Sequence, residues 1–454
     1  MNMRKFFAVS LSLLALLSCS KPEPPKIIKT PVTPAEEIFS LAATPKDNHQ
    51  IYQVNLKMYG NSGAFGKVEA RLDDIKALGT EYLYLMPLYR EGTKDAIGSP
   101  YCIRNFKEVN SSYGTLADLK KLVNSAHSKG MKVMFDWVAN HTSWDNNWIT
   151  EHPDWYEKDS KGNIVYPTKD GEWRDVAQLD YSNNALWDGM IDALKYWVTE
   201  CGIDGYRCDY AHGVRDDFWK KAIEELHKVN PSLVMLAESD YTRMFSDGFD
   251  IIFDRAMKSH VLTLWNGGKA SEFFSWYKDD LAAAPGTKTK LFFITNHDDN
   301  TTDVPTTLFK SKDGAFAAYV FMTTLNGSSM IYGCQENAYD KTINFFNTMT
   351  MDFGANADYV SKYRKAMAAL GKLDRSTAMK VYSSGNVVFI NYSASSKSKG
   401  MVVGVNISTS GTKAAVPAIL SGKNATELMA GGSAAEVEEE VSFDAFGVKI
   451  WELN

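Results

Sequence analysis

Short apolar runs alternate with amphipathic stripes along most of the chain. Ile51–Leu56 and Tyr82–Met86 read as short strands. Thr115, with Asp118 three residues on, has the form of a helix-opening capping pair. Behind it Leu116, Leu119, Leu122, Val123 and Ala126 fall on one face at helical spacing, and Gly130 stops the helix before a strand at Met131–Phe135. The unit recurs: a stripe of Leu186, Met190, Leu194, Trp197 and Val198, a stop at Gly202, and a strand at Gly205–Asp209. Further strands are expected at Leu233–Ala237, Ile251–Phe253, Leu291–Thr295 and Met330–Tyr332. Strand–helix alternation on this scale predicts a parallel sheet. Eight strands favour closure into a barrel, although periodicity alone leaves an open sheet possible.

Two stretches break the pattern. From His141 to about Ser182 the chain is rich in Trp, Asp, Asn and Gly and carries no helical stripe. A connection that long inside a compact domain is usually functional, and leaving the third strand it would overhang one end of the sheet. After about Leu373 the runs Val387–Tyr392, Met401–Asn406 and Val448–Leu453 lie between Ser/Gly-rich turns, the pattern of an antiparallel β-sandwich.

The start of the chain reads as targeting rather than fold. Arg4 and Lys5 precede the apolar run Phe6–Leu17, which is too short to span a bilayer, and Ser18-Cys19 follow. Leu16-Leu17-Ser18-Cys19 resembles a bacterial lipobox, whose cysteine is acylated and becomes the first mature residue. Residues 20–47 carry six of the 14 prolines, which predicts an extended tether. The expected organisation is a signal peptide at 1–18, a lipid-anchored tether at 19–47, a barrel at 48–373 with a small insertion near 141–182, and a sandwich at 374–454. The net charge of −6 without a basic cluster argues against nucleic acid as a partner. Cys102, Cys201, Cys208 and Cys334 show no metal spacing and read as small buried apolar side chains.

Chemistry gathers at strand ends. Asp136-Trp137-Val138-Ala139-Asn140-His141, Gly205-Tyr206-Arg207-Cys208-Asp209, Leu236-Ala237-Glu238 and Phe293-Ile294-Thr295-Asn296-His297-Asp298 each close an apolar run with acidic or imidazole groups. A (β/α)₈ barrel builds its site from such ends at its C-terminal face. These four fragments, in this order, resemble the sequence blocks of the α-amylase family of glycoside hydrolases (glycoside hydrolase family 13). Ile331-Tyr332-Gly333-Cys334-Gln335-Glu336 resembles that family's block at the eighth strand. The resemblance runs from about Ile51 to the C-terminus. It implies a (β/α)₈ TIM barrel with a short loop domain after the third strand and a C-terminal antiparallel β-sandwich.

Cleaving a glycosidic bond needs a proton donor for the leaving oxygen and a group that traps or stabilises an oxocarbenium-like carbon, and two carboxyl groups suffice. Arg207 and Asp209 share one face of their strand, so Arg207 is expected to hold Asp209 ionised as a nucleophile. Glu238 follows an apolar run with no cation until Arg243, which predicts a raised pKa and a proton to donate. By resemblance Asp209 matches the family nucleophile, Glu238 the acid/base and Asp298 the third carboxylate. His141 and His297 match histidines that bind the sugar. Tyr101, nine positions before Asn110, matches a sugar-stacking tyrosine. Arg207 and His212 join the candidate substrate-binding set, and Asp136 is expected to pair with Arg207 below the site. Trp144, Trp148, Trp155 and Trp173 lie on the overhanging loop, where some suit sugar binding and others fold the loop.

Departures from the family pattern matter. Where many members have Lys-His after the nucleophile, this chain has His212-Gly213, so sugar contacts beyond the cleavage point differ. Where the family often has a calcium-ligating Asp, it has Gln178, which leaves Asn140 as the candidate calcium ligand. The reading is a lipoprotein exported across the inner membrane and anchored at the outer membrane. It would be a retaining hydrolase of α-glucosidic bonds, mainly α-1,4, in starch or malto-oligosaccharides, working beside other glucan-uptake proteins. An exo-acting α-glucosidase, a cyclodextrin hydrolase or a transglycosidase would use the same residues. An inactive glucan-binding lipoprotein is the rival outside enzymology. Replacing Cys19 with alanine is expected to release the protein from the membrane fraction or leave it unprocessed. A Cys19→Ala chain that stays membrane-bound with a normally cleaved N-terminus would disprove the anchor.

Overall fold

The computed structural model describes residues 32–454; the signal segment, Cys19 and the first part of the tether lie outside them. Eight parallel strands close into a barrel in chain order. They are Gln50–Val54, Tyr82–Leu85, Lys132–Val138, Gly205–Asp209, Val234–Ala237, Ile251–Phe253, Thr289–Phe292 and Ser328–Tyr332, the last pairing back onto the first. The helices cover the outside through the stripes the sequence shows. Leu116–Ser128 opens on Thr115 with both capping-box hydrogen bonds formed and buries Leu119, Leu122, Val123 and Ala126. Asn184–Cys201 ends at Gly202, whose left-handed φ of 65° suits a residue without a Cβ.

Register decides what meets inside the barrel. The third strand runs on to Val138, past the expected end, and pairs Asp136 with Arg207 and Val138 with Asp209. Side chains on a strand alternate between faces, so Asp136 and Arg207 enter the lumen side by side, both fully buried. Gly205 allows the fifth strand to close on the fourth: a Cβ there would lie 2.6 Å from the Val234 carbonyl oxygen. The seventh strand stops at Phe292, so His297 and Asp298 stand on the loop beyond it.

The long connection after the third strand is a compact flap. Its base is a short hairpin of His141–Ser143 with Val176–Gln178. Trp148 and Trp155 pack edge to face at 5.0 Å, and His152 stacks on Trp155 at 3.9 Å, so these two tryptophans fold the loop. Cys102, Cys201, Cys208 and Cys334 are buried and unbonded to one another, as expected of apolar packing.

The C-terminal region is a seven-stranded antiparallel sheet faced by a two-stranded one, Thr412–Ala415 with Glu440–Phe443. Phe389, Val402, Phe443 and Trp451 fill the space between the two layers. Its edge strand corrects the tether expectation. Glu36–Leu41 pairs antiparallel with Met379–Ser384, and Phe39 packs its ring 5.5 Å from Phe274 on the helix Ala270–Ala282. Only Pro34 and Pro45 of the six tether prolines fall within the described residues, and both flank the strand. An edge strand tolerates proline at its margin and needs only a half-apolar face, so composition concealed it. Phe39→Ala is therefore expected to destabilise the folded chain by about 1–2 kcal/mol in denaturant unfolding. A free tether would leave stability unchanged.

Candidate active site

At the C-terminal mouth of the barrel one guanidinium gathers three carboxylates. Arg207 Nη1 lies 2.7 Å from Asp136 Oδ1 and 3.0 Å from Asp209 Oδ1, and its Nη2 lies 3.0 Å from Glu238 Oε2. Arg207 has no exposed surface. It therefore sits beneath the site, where it holds the acids, and not among the groups that reach substrate. Asp136 takes the supporting place expected of it: Tyr84 donates to its Oδ2 at 2.5 Å and Tyr101 at 3.0 Å.

Two electrostatic expectations change. Glu238 does not lean on an apolar wall. Besides Arg207 it meets Arg255 Nη2, 2.9 Å from Oε1, and accepts the Tyr210 backbone N–H at 2.8 Å. Arg243 turns instead to Asp216. Tyr210 has a left-handed φ of 44°, a backbone state uncommon outside glycine that tends to persist at functional sites. Nor is Asp209 simply held ionised. Burial pushes its carboxyl well above the usual carboxylate range, Arg207 pulls it down, and the neighbouring Glu238, Asp136 and Asp298 push it up again. Arg255 was not foreseen from the sequence. It opens the helix Arg255–Trp265 two residues after the sixth strand, and that position at a barrel strand end was the available signal.

The imidazoles complete the floor. Gln53 Nε2 stands 2.8 Å from His297 Nδ1, and His297 Nε2 stands 2.6 Å from the Tyr101 hydroxyl. Because Tyr101 passes its own hydrogen to Asp136, it accepts from His297 Nε2–H, and His297 Nδ1 accepts from Gln53. Burial, helped by the charge of Arg207, holds His297 well below the usual histidine range, which keeps this chain of donors neutral at the ring. Burial likewise lowers His141 to about 4. Asp298 Oδ1 lies 3.3 Å from His297 Nε2, with its side chain 48% exposed toward the opening.

Six of the nine residues singled out in the sequence line one cavity of about 440 Å³: Asp209, Glu238, Asp298, Tyr101, His141 and His297. Trp173, Tyr210, Phe345 and Phe346 add aromatic walls. Trp173 from the flap meets Tyr210 edge-on at 5.0 Å and His141 at 5.6 Å. His212 stands outside this lining, against Tyr210 at 4.5 Å and Tyr241 at 5.4 Å. Asn140 is buried behind His141, its Nδ2 3.3 Å from His141 Nδ1. The calcium implied there does not fit the residues present. Gln178 Nε2 donates to the Asn140 carbonyl at 3.0 Å and lies 3.3 Å from Asn140 Oδ1, so hydrogens point where a cation would need oxygens. Among the described residues no three His, Cys, Asp or Glu side chains are placed to hold one ion.

Removing Arg207 would leave Asp136 buried without its counter-charge. Arg207→Ala is expected to cost about 3–5 kcal/mol of unfolding free energy. Retention of wild-type stability would show that the cluster is not held by this cation.

A family model described as "Alpha amylase, catalytic domain" matches residues 47–380. The chain is 24% identical over 424 residues to an α-amylase of Haloarcula japonica, covering 88% of this chain and 61% of that protein. It is 31% identical over 207 residues to an α-1,4-glucan:maltose-1-phosphate maltosyltransferase of Rhodospirillum rubrum, covering 40% of this chain and 29% of that one. It therefore spans about three-fifths or less of the length of these relatives. The crystal structure of an α-amylase from Lactobacillus plantarum superposes with a TM-score of 0.74 at 29% identity, covering 89% of this chain and 98% of that chain. With the closed barrel, the strand-end carboxylates and a family match over most of its length, this chain belongs to the α-amylase family of hydrolases and transglycosylases and is an enzyme of the glycoside hydrolase type.

Proposed function

We propose that this chain is a retaining enzyme that hydrolyses α-glucosidic bonds, mainly α-1,4, of starch or malto-oligosaccharides. The observation that carries the reading is the sharing of Arg207: Asp209 and Glu238 each lie 3.0 Å from a different terminal nitrogen of one guanidinium. Carboxylates brought onto one fork are what the close pair of retaining enzymes requires, at ~5–5.5 Å, with no room for water between the nucleophilic carboxylate and the sugar. Glu238, protonated, gives its proton to the glycosidic oxygen as the bond to the anomeric carbon breaks. Asp209 attacks that carbon and forms a glycosyl ester. Glu238, now a carboxylate, takes a proton from water, and the water oxygen displaces Asp209 with retained configuration. Two arginines, Arg207 and Arg255, face four carboxylates, Asp136, Asp209, Glu238 and Asp298. The excess negative charge favours keeping a proton in the site, as this cycle needs.

Tyr101, His141, His297 and Asp298 line the same cavity and are assigned to the sugar. Neutral imidazoles can donate or accept hydrogen bonds to hydroxyls, and the tyrosine ring offers an apolar face. Three carboxylates converging on one cavity weigh against an inactive glucan-binding role. The anchoring of Cys19 at the outer membrane belongs to the same proposal and rests on the sequence of the leader.

Asp209→Ala is expected to abolish turnover of every substrate. Glu238→Gln keeps the shape but not the proton, so starch hydrolysis should fall by ~10³-fold, while the first step on a glycosyl fluoride, whose leaving group needs no proton, should be largely spared. Azide should then release the trapped sugar. Equal collapse of starch and fluoride turnover, with azide present and the fold intact by circular dichroism, would remove Glu238 from its role.

A further inference from the structure

Gln178 ends the strand Val176–Gln178 at the base of the flap and pairs in register with His141. Its Nε2 donates to two backbone carbonyls, Asn140 and Leu179, each at 3.0 Å, and reaches Asn140 Oδ1 at 3.3 Å. Its Oε1 in turn faces Asn140 Nδ2 at 3.4 Å. Three oxygens from the two sides of the flap base thus converge on one point. Convergent hard oxygens are what a calcium ion requires, but the point holds two N–H hydrogens shared among them. The amide cannot be turned round, because backbone carbonyls only accept. The nearby Asp180 is committed elsewhere: its Oδ1 accepts the Ser182 N–H at 2.8 Å and closes a turn.

We propose that the Gln178 amide occupies the position of a metal ion, clamping the flap to the end of the third strand without any cation and thereby positioning His141. The link to the site is Asn140, which Gln178 grips and whose Nδ2 lies 3.3 Å from His141 Nδ1. Gln178 is a positioning residue: it does not line the cavity, whereas His141 does. The positioning half of the proposal rests on the reading of His141 as a sugar contact; the clamp itself does not.

The test uses the full-length chain, with calcium chloride and a chelator as probes. Thermal unfolding of the unaltered protein should shift by less than about 1 °C on adding either, since a ligand that does not bind the folded state cannot stabilise it. Gln178→Ala should lower Tm by about 2–4 °C, with no recovery in millimolar calcium. Gln178→Asp returns a carboxylate to the same oxygens, so its Tm should fall in chelator and rise again with calcium. On malto-oligosaccharides Gln178→Ala should raise KM by about 10-fold with a smaller change in kcat, as displacement of a sugar-contacting ring predicts. A chelator that lowers the Tm of the unaltered protein, reversed by calcium, overturns the proposal. So does a Gln178→Asp chain indifferent to calcium, or a Gln178→Ala chain with unchanged Tm. Because unfolding is read without substrate, failure of the clamp is distinguishable from failure of the Asp209–Glu238 assignment. An unchanged KM beside the expected Tm shifts overturns the positioning role.

Discussion

A single buried guanidinium organises the mouth of this barrel. Removing an arginine from water costs several kcal/mol, and attraction to acids offsets that only when the geometry is close and the remaining hydrogens are used. Arg207 has the close geometry, with Asp136 at 2.7 Å beneath it and Asp209 and Glu238 at 3.0 Å around it, while its Nε and Nη2 make no aligned hydrogen bond and are held by charge alone. Phe253 and Tyr101 each stand 5.7 Å from its centre and keep water away. The arrangement depends on strands three to five keeping their register, since a slip of one residue would turn Asp136 or Arg207 out toward the helices. Fold and chemistry are therefore one constraint here: the barrel must close as it does for one cation to reach all three acids.

The same cluster gives its two carboxyl groups different surroundings. Glu238 has a second cation in Arg255 and a backbone donor in Tyr210, whereas Asp209 faces three other acids with Arg207 alone. Proton affinity in the site is then a property of the group of charges, and neighbouring acids titrate as a set. The neutral histidines follow from the same physics. Two arginines nearby and burial both oppose an imidazolium at His297, leaving it to serve as a hydrogen-bonding group between Gln53 and Tyr101.

The flap contributes shape. Trp173 brings the flap into the cavity lining, which Phe345 and Phe346 share, while Trp148 and Trp155 fold the flap itself. Its attachment to the barrel runs through the hairpin at His141 and Gln178. Neutral amides and carbonyls make the grip of Gln178 on Asn140 and Leu179. The N-terminal strand Glu36–Leu41 likewise ties the start of the described chain to the C-terminal sheet and to the helix Ala270–Ala282.

The sequence by itself determined the strand–helix alternation, the capped ends at Thr115 and Gly202, and the identity of the strand-end acids. These are local properties: periodicity, caps and residue type are written in neighbouring positions. It also made legible six of the residues that line the cavity, the carboxylates because strand ends of a barrel face a common mouth and Tyr101, His141 and His297 through resemblance to the family's blocks. Tertiary structure alone decided what each side chain meets. Arg207 read as a partner of Asp209, two positions on along the same strand, and of Asp136 beneath it, but only closure of the barrel brought Glu238 to the same cation. Arg255 approaches Glu238 from the next strand end, a position the sequence shows but a contact that only the fold makes. The strand Glu36–Leu41 gains its meaning from Met379–Ser384, more than 300 residues away. Pairing across that distance, like the sharing of a charge, depends on positions in space that no local pattern encodes.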